Sequence, residues 1–267
     1  MKTYIGIFRM RLIAGFQYRA AAWAGVATQF FFGFVFISIY KAFYDSAVSV
    51  PEMPIEQLVS YLWMQQAFLI MISLWAQDNS IFEAIRSGNI AYELTRPVSL
   101  YWMWTMRLIA IRLSSALMRC LPILAVAFFL PKPYNMLPPP SVETGLLFVI
   151  SMPLGMLVTV GISMFLFLGA MRLLDAGGIR LILNIVMEFF SGQLIVLPLM
   201  PEWLQRIAYC LPFRYTTDVP LRIYSGNIPT AEAYMSIGLQ LLWVVVLVAL
   251  GQMMMRRNLS RVVVQGG

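Results

Sequence analysis

The chain has 267 residues, of which 60% are hydrophobic and 12% charged, against about 25% charged in soluble domains. With a mean hydropathy of +0.77, this composition describes a polytopic membrane protein and leaves no room for a large soluble domain. The net charge of +7 comes with no histidine and only two cysteines, which excludes His-based acid–base catalysis, Ser-His-Asp triads and most zinc sites.

Residues 1–19 set Lys2, Arg9 and Arg11 among Tyr4, Ile5, Phe8 and Leu12, predicting an amphipathic elbow helix in the cytoplasmic interface, the alternative being an early start to the first span. Arginines interrupt the apolar run, unlike the uninterrupted core of a secretory signal. Six spans of about 20 apolar residues each are expected to follow, over residues 20–43, 57–76, 113–130, 144–171, 181–199 and 231–254. The fold class is therefore all-α, one transmembrane domain over residues 1–267. The second span contains Gln65 and Gln66, which read either as packing groups between helices or as part of a substrate path.

The longest interruption is residues 77–100, QDNSIFEAIRSGNIAYELTRPVSL. Ser80 and Glu83 have the spacing of a capping box, Gly88 supplies a stop, and Ile81, Phe82 and Ile85 share one side while Glu83 and Arg86 stay wet. A helix of about two turns is marginal alone in water, so its apolar side is expected to pack on a partner protein. The alternative is an ordinary helix lying on lipid.

After Pro97, the mixture Tyr101, Trp102, Trp104, Arg107 and Arg112 predicts a helix sliding along the interface before the third span, with Arg119 snorkelling from inside that span. Five prolines between Pro131 and Pro140 make a stiff outer loop. Pro153, Gly155 and Gly161 in the fourth span invite a kink or close helix contact. Arg172 to Arg180, with Asp175 and Gly177-Gly178, reads as a short basic turn.

On the fifth span Asn184, Glu188 and Ser191 form a polar stripe. An acid at mid-bilayer costs about 3 kcal/mol, so the stripe should face the bundle, a subunit interface or a path. Residues 198–229 then predict a short helical pair on the outer surface, one helix after Pro201-Glu202 and one from Thr217-Asp218 to Gly226.

Placing both termini in the cytoplasm puts fourteen of the nineteen lysines and arginines inside, leaving Lys41, Lys132, Arg206, Arg214 and Arg222 outside. This charge distribution suits anionic headgroups rather than nucleic acid. Cys120 and Cys210 fall on opposite sides and read as apolar filler, as do the nineteen methionines. No metal site is expected. The sequence contains no Gly-Lys pair and hence no P-loop, so any ATP chemistry belongs to another chain.

The run Ile85-Arg86-Ser87-Gly88-Asn89-Ile90-Ala91-Tyr92-Glu93-Leu94-Thr95-Arg96-Pro97 resembles the "I-x-x-G-N-I-A-Y-x-L-x-R-P" run of permease subunits of type 2 ABC exporters, in the bacterial branch with paired sibling permeases. The layout of elbow, six spans and outer helical pair is similar too. The resemblance implies a transport subunit of the bacterial cytoplasmic membrane that is not itself an enzyme. It works as a dimer, with a sibling heterodimer favoured over a homodimer, and binds no cofactor. ATP and Mg would sit on separate ABC ATPase subunits. It makes residues 77–100 a coupling segment in which Ser80, Ile81, Phe82, Glu83, Ile85 and Arg86 meet the ATPase. The alternatives are a proton-coupled secondary transporter using Glu188 and a membrane-embedded lipid-modifying protein; sparse carboxylates speak against the latter.

Overall fold

The computed structural model describes residues 2–46, 52–173 and 177–260, and these are helical with no strand among them. The first helix, α1 (Lys2–Gly15), is followed by α2 (Arg19–Ser46), α3 (Ile55–Ala67) and the short α4 (Leu69–Ile72). Next come α5 (Asn79–Arg86), α6 (Ile90–Leu94), α7 (Leu100–Phe129) and α8 (Val142–Leu173). The described residues end with α9 (Gly177–Phe190), α10 (Glu202–Cys210), α11 (Asp218–Ser225) and α12 (Thr230–Leu259).

Four of these, α2, α7, α8 and α12, are long and apolar enough to cross a membrane. The predicted second span is instead α3 and α4, interrupted at Phe68, whose φ of −107° and ψ of 13° leave the helix. The predicted fifth span is α9 alone, stopped after Phe190 by a turn in which Gly192 takes a left-handed φ of 82°. At 14 residues, α9 is about 21 Å long, short of the roughly 30 Å apolar core of a bilayer.

The third prediction also changes. The interfacial helix and the span after it are one helix, α7, running through Pro122. Gly177 and Gly178, expected in a turn, begin α9, while Asp175 lies outside the described residues. Arg261, expected in the tail, also lies outside them.

Burial makes α3 and α8 the centre. Every residue of α3 from Leu58 to Ala67 is buried, so its pattern is a continuous apolar run rather than a stripe. In contrast, α2 buries Ala22, Val26, Gln29, Gly33 and Ile37, one face at helical spacing. Gly33 is needed there because a Cβ would lie 2.6 Å from the Trp63 ring, which Phe30 and Phe34 flank edge-on at 5.8 and 5.4 Å. On the other side α12 lies along α8, where a Cβ at Gly161 would meet Leu247 at 2.9 Å. Gln240 of α12 accepts from Ser151 at 2.9 Å and donates to the Tyr215 carbonyl at 2.9 Å, pinning α12, α8 and the 3₁₀ turn Pro212–Thr216 together.

Two short helices, α10 and α11, occupy the stretch predicted for an outer pair. Pro201 caps the start of α10, and Gly226, at φ 70°, closes α11 in the left-handed conformation expected of a glycine C-cap. Helix α11 is almost wholly buried, which is what permits such irregular backbone inside a membrane protein. Asp218 at its start is fully buried, with Arg222 at 3.7 Å and Arg214 at 3.8 Å. Burial pushes its carboxyl up from its ordinary value, opposed by Arg222 and then Arg214.

Candidate functional site

The segment 77–100 is held by a buried charge cluster. Asp78, not Ser80, is the N-cap of α5: its Oδ1 accepts from the Ser80 amide at 3.1 Å and the Ser80 hydroxyl at 2.6 Å. The expected Ser80–Glu83 capping box is therefore absent, and Glu83 is exposed. The other oxygen of Asp78 receives Arg107 through Nε at 2.9 Å and Nη2 at 2.8 Å. Arg107 Nη1 reaches Glu93 at 2.9 Å, and the second Glu93 oxygen accepts from the Trp104 indole at 2.8 Å. One guanidinium thus ties the start of α5 and the body of α6 to a single face of α7, since Trp104 and Arg107 are three residues apart.

The apolar side of α5 finds its partner within the chain. Ile81 is fully buried, and Phe82 packs on Phe167 of α8 with ring centroids 4.7 Å apart. Arg180 lies over the outer face of Phe82 at 5.2 Å, and Ile85 is half-buried against the core. The side predicted to fill a groove on another protein packs within this chain, Ile81 in the core and Phe82 on α8, with Phe82 and Ile85 left partly exposed. What the segment presents outward is Asn79, Glu83, Arg86, Tyr92 and Arg96, with Tyr92 74% exposed. Gly88, at φ 77°, ends α5 as the spacing predicts.

Directly inward lies the break after α4, where the helix leaves carbonyls without intrahelical partners. Arg112 of α7, fully buried, donates through Nη1 to the carbonyls of Ile70 at 3.0 Å, Met71 at 3.3 Å and Ser73 at 2.6 Å, and through Nη2 to Ser163 at 3.1 Å. Gln193, in the turn after α9, bonds the Ile72 carbonyl at 3.4 Å, Thr217 at 3.1 Å and Ser73 at 3.1 Å. Gln65 donates to the Gln193 carbonyl at 2.8 Å. An interrupted helix is tolerated at membrane depth only when protein satisfies its backbone in this manner.

Beside this knot is a cavity of about 470 Å³ between α2, the α3–α4 break and α9, lined in part by Gln29, Gln65, Gln66, Arg119, Glu188 and Gln193. Gln65, Gln66 and Glu188, predicted to share a path or interface, are thus brought together. Asn184 and Ser191, predicted with them, do not line it; Ser191 is buried, its hydroxyl 3.4 Å from the Glu188 carbonyl. Arg119 crosses beneath α2 at Gly25, where any Cβ would collide with its guanidinium, and donates to the Ala21 carbonyl at 3.4 Å.

A family model described as ABC-2 family transporter protein matches residues 26–266, nearly the whole chain. The chain belongs to the ABC-2 transporter family. It is a membrane permease component, and membership implies association with ABC ATPase subunits. No curated protein matches it.

In this ABC-2 permease, sequence reasoning missed Asp78, Glu93, Arg107 and Arg112. A signal existed for the first three, because one acid precedes α5 and another lies in α6 while Trp104 and Arg107 share one face of α7. Arg112 carried no such signal. In sequence it is one of several arginines in an aromatic-basic stretch, and only the fold sets it under α4.

Proposed function

We propose that this chain is the permease subunit of an ATP-driven exporter in a bacterial cytoplasmic membrane, with both termini cytoplasmic. Alternating access is driven by ATP and Mg bound on separate ATPase subunits. The chain pairs with a second permease, a sibling in preference to a second copy, and the Gln65–Gln66–Glu188 cavity belongs to the substrate path. Ser80 positions α5 through Asp78, while Glu83, Arg86 and Tyr92 meet the ATPase.

The observation that carries the reading is the Asp78–Arg107–Glu93 cluster. An ATPase that closes and opens must push on something stiff. A two-turn helix held by a buried bidentate ion pair and by Phe82 on Phe167 moves as one body with α7 and α8. A loop would absorb the displacement.

Purification from native membranes tests the assembly: an ATPase and a second permease are expected to accompany the chain. In the reconstituted complex, Glu83→Arg is expected to lower substrate-stimulated ATP hydrolysis without loss of folded permease. Unchanged stimulation, or transport that runs on the proton gradient without an ATPase, contradicts the proposal.

A further inference from the structure

The cavity beside the α4 break has a chemical character that narrows what it holds. It is lined by one cation, Arg119, and one anion, Glu188, and these do not form an ion pair. No described side chain bonds the Glu188 carboxylate. Three further polar atoms on lining residues have no hydrogen-bond partner among the described residues: the amide oxygens of Gln29 and Gln65, and Arg119 Nε. Orphaned polar atoms in a protein interior cost stability and mark a place where a partner belongs. The set comprises one guanidinium, one carboxylate and two amide oxygens, so it asks for an anionic group and a separate hydrogen-bond-donating cation.

Thr28, Gln66 and Gln193 add further polar groups, and the apolar part of the wall includes Phe32, Phe36, Leu69 and Leu194. Phe36 and Leu194 also line a second hollow of about 300 Å³, which continues past Ile39 and Phe43 to Leu199 and is almost wholly apolar. Polar cavity and apolar groove therefore meet at two shared residues. A polar solute would leave the groove empty, and a simple hydrocarbon would bury Arg119 and Glu188 without partners.

Building on the permease reading, we propose that this joined site binds a zwitterionic amphiphile. Its anionic group lies at Arg119, its ammonium at Glu188 with the Gln29 and Gln65 oxygens, and its chain in the groove toward Phe43. Gly25 is part of the site, because its missing side chain is what admits the Arg119 guanidinium beneath α2.

The test is equilibrium binding of radiolabelled lysophosphatidylethanolamine to the full chain in phosphatidylglycerol nanodiscs. The comparison ligands, all with the same chain, are lysophosphatidic acid, an alkylamine and a neutral monoacylglycerol. The zwitterion is expected to bind about tenfold more tightly than either analogue carrying charge of one sign only, the equivalent of one ionic contact. Arg119→Gln erases the preference over the alkylamine, Glu188→Gln erases the preference over lysophosphatidic acid, and Arg119→Lys restores part of the former in a folded protein. Equal binding of monoacylglycerol, or a preference untouched by both substitutions, overturns the proposal. So does loss of the site to a second permease, read as cross-linking between Leu194→Cys copies with no zwitterion binding in the assembled dimer.

The headgroup chemistry is shared by a bilayer lipid and an exported amphiphile. Release of bound label when the assembled complex turns over ATP marks cargo, and retention marks a structural lipid; either supports the site. If the preference holds but no ATPase couples to the chain, the permease reading fails and the site stands. If ATP-driven transport holds without the preference, the site fails alone.

Discussion

Arg107 grips one oxygen of Asp78 with two nitrogens, Nε at 2.9 Å and Nη2 at 2.8 Å, while the other Asp78 oxygen caps α5. The cap of one helix is thereby fastened to the body of another. Both side chains are below a tenth exposed, so each protects the other from being a lone buried charge. Asp78→Asn and Arg107→Gln are each expected to cost about 3 kcal/mol, the scale of breaking one side of a buried ion pair. The double variant should cost less than the sum. Thermal unfolding of the purified permease measures this, and strict additivity argues against the pairing.

Phe82 and Glu83 are neighbours with opposite fates. Phe82→Ala opens a void against Phe167 and is expected to lower stability by about 3 kcal/mol. Glu83→Arg, on the exposed side, should stay within about 0.5 kcal/mol and act only on ATPase stimulation. Equal stability losses at both positions contradict the placement of α5.

Arg112 replaces the hydrogen bonds that the break after α4 removes. Arg112→Met leaves several carbonyls unpaired and is expected to lower stability by about 2 kcal/mol or more. Arg112→Lys recovers only part, because a single ammonium cannot serve Ser163 and the carbonyls together. Hydrogen exchange of the amides of residues 69–78 should rise in both variants, more in the methionine form.

Asp218 is pushed upward by burial. A carboxyl whose folded pKa exceeds its unfolded value binds protons more readily in the folded state, so the stability it lends is full below the ordinary carboxylate range and is lost as pH rises through the folded pKa. Melting temperature is therefore expected to fall with rising pH across that interval. Asp218→Asn should flatten the slope; an unchanged slope assigns the pH dependence to another group.

Much of the helical layout was legible because it rests on local signals: glycine stops at Gly88 and Gly226, the proline-rich stretch before α8, and apolar runs long enough for α2, α8 and α12. The break at Phe68 was not legible. Residues 57–76 read as one apolar run, and what stabilises the interruption is Arg112, Thr159 and Gln193 arriving from three other parts of the chain. The cap of α5 failed for a related reason. Asp78 and Ser80 are both good capping residues two positions apart, and the choice is made by Arg107, which no local pattern contains. Of the polar stripe on α9, Glu188 lines the cavity while Asn184 and Ser191 do not. The turn at Ser191 and Gly192 takes Ser191 off the helix that carries Asn184 and Glu188.

The central claim, that the exposed side of α5 and α6 receives an ATPase, is tested most directly by thiol accessibility. Cysteines placed one at a time by Glu83→Cys, Arg86→Cys and Tyr92→Cys are labelled with a membrane-impermeant maleimide, in the permease alone and in the complex purified with its ATPase. The account predicts rapid labelling at all three in the isolated permease and protection of about tenfold or more in the complex, the ratio expected of a contact worth about 1.4 kcal/mol. Equal labelling with and without the ATPase would contradict it.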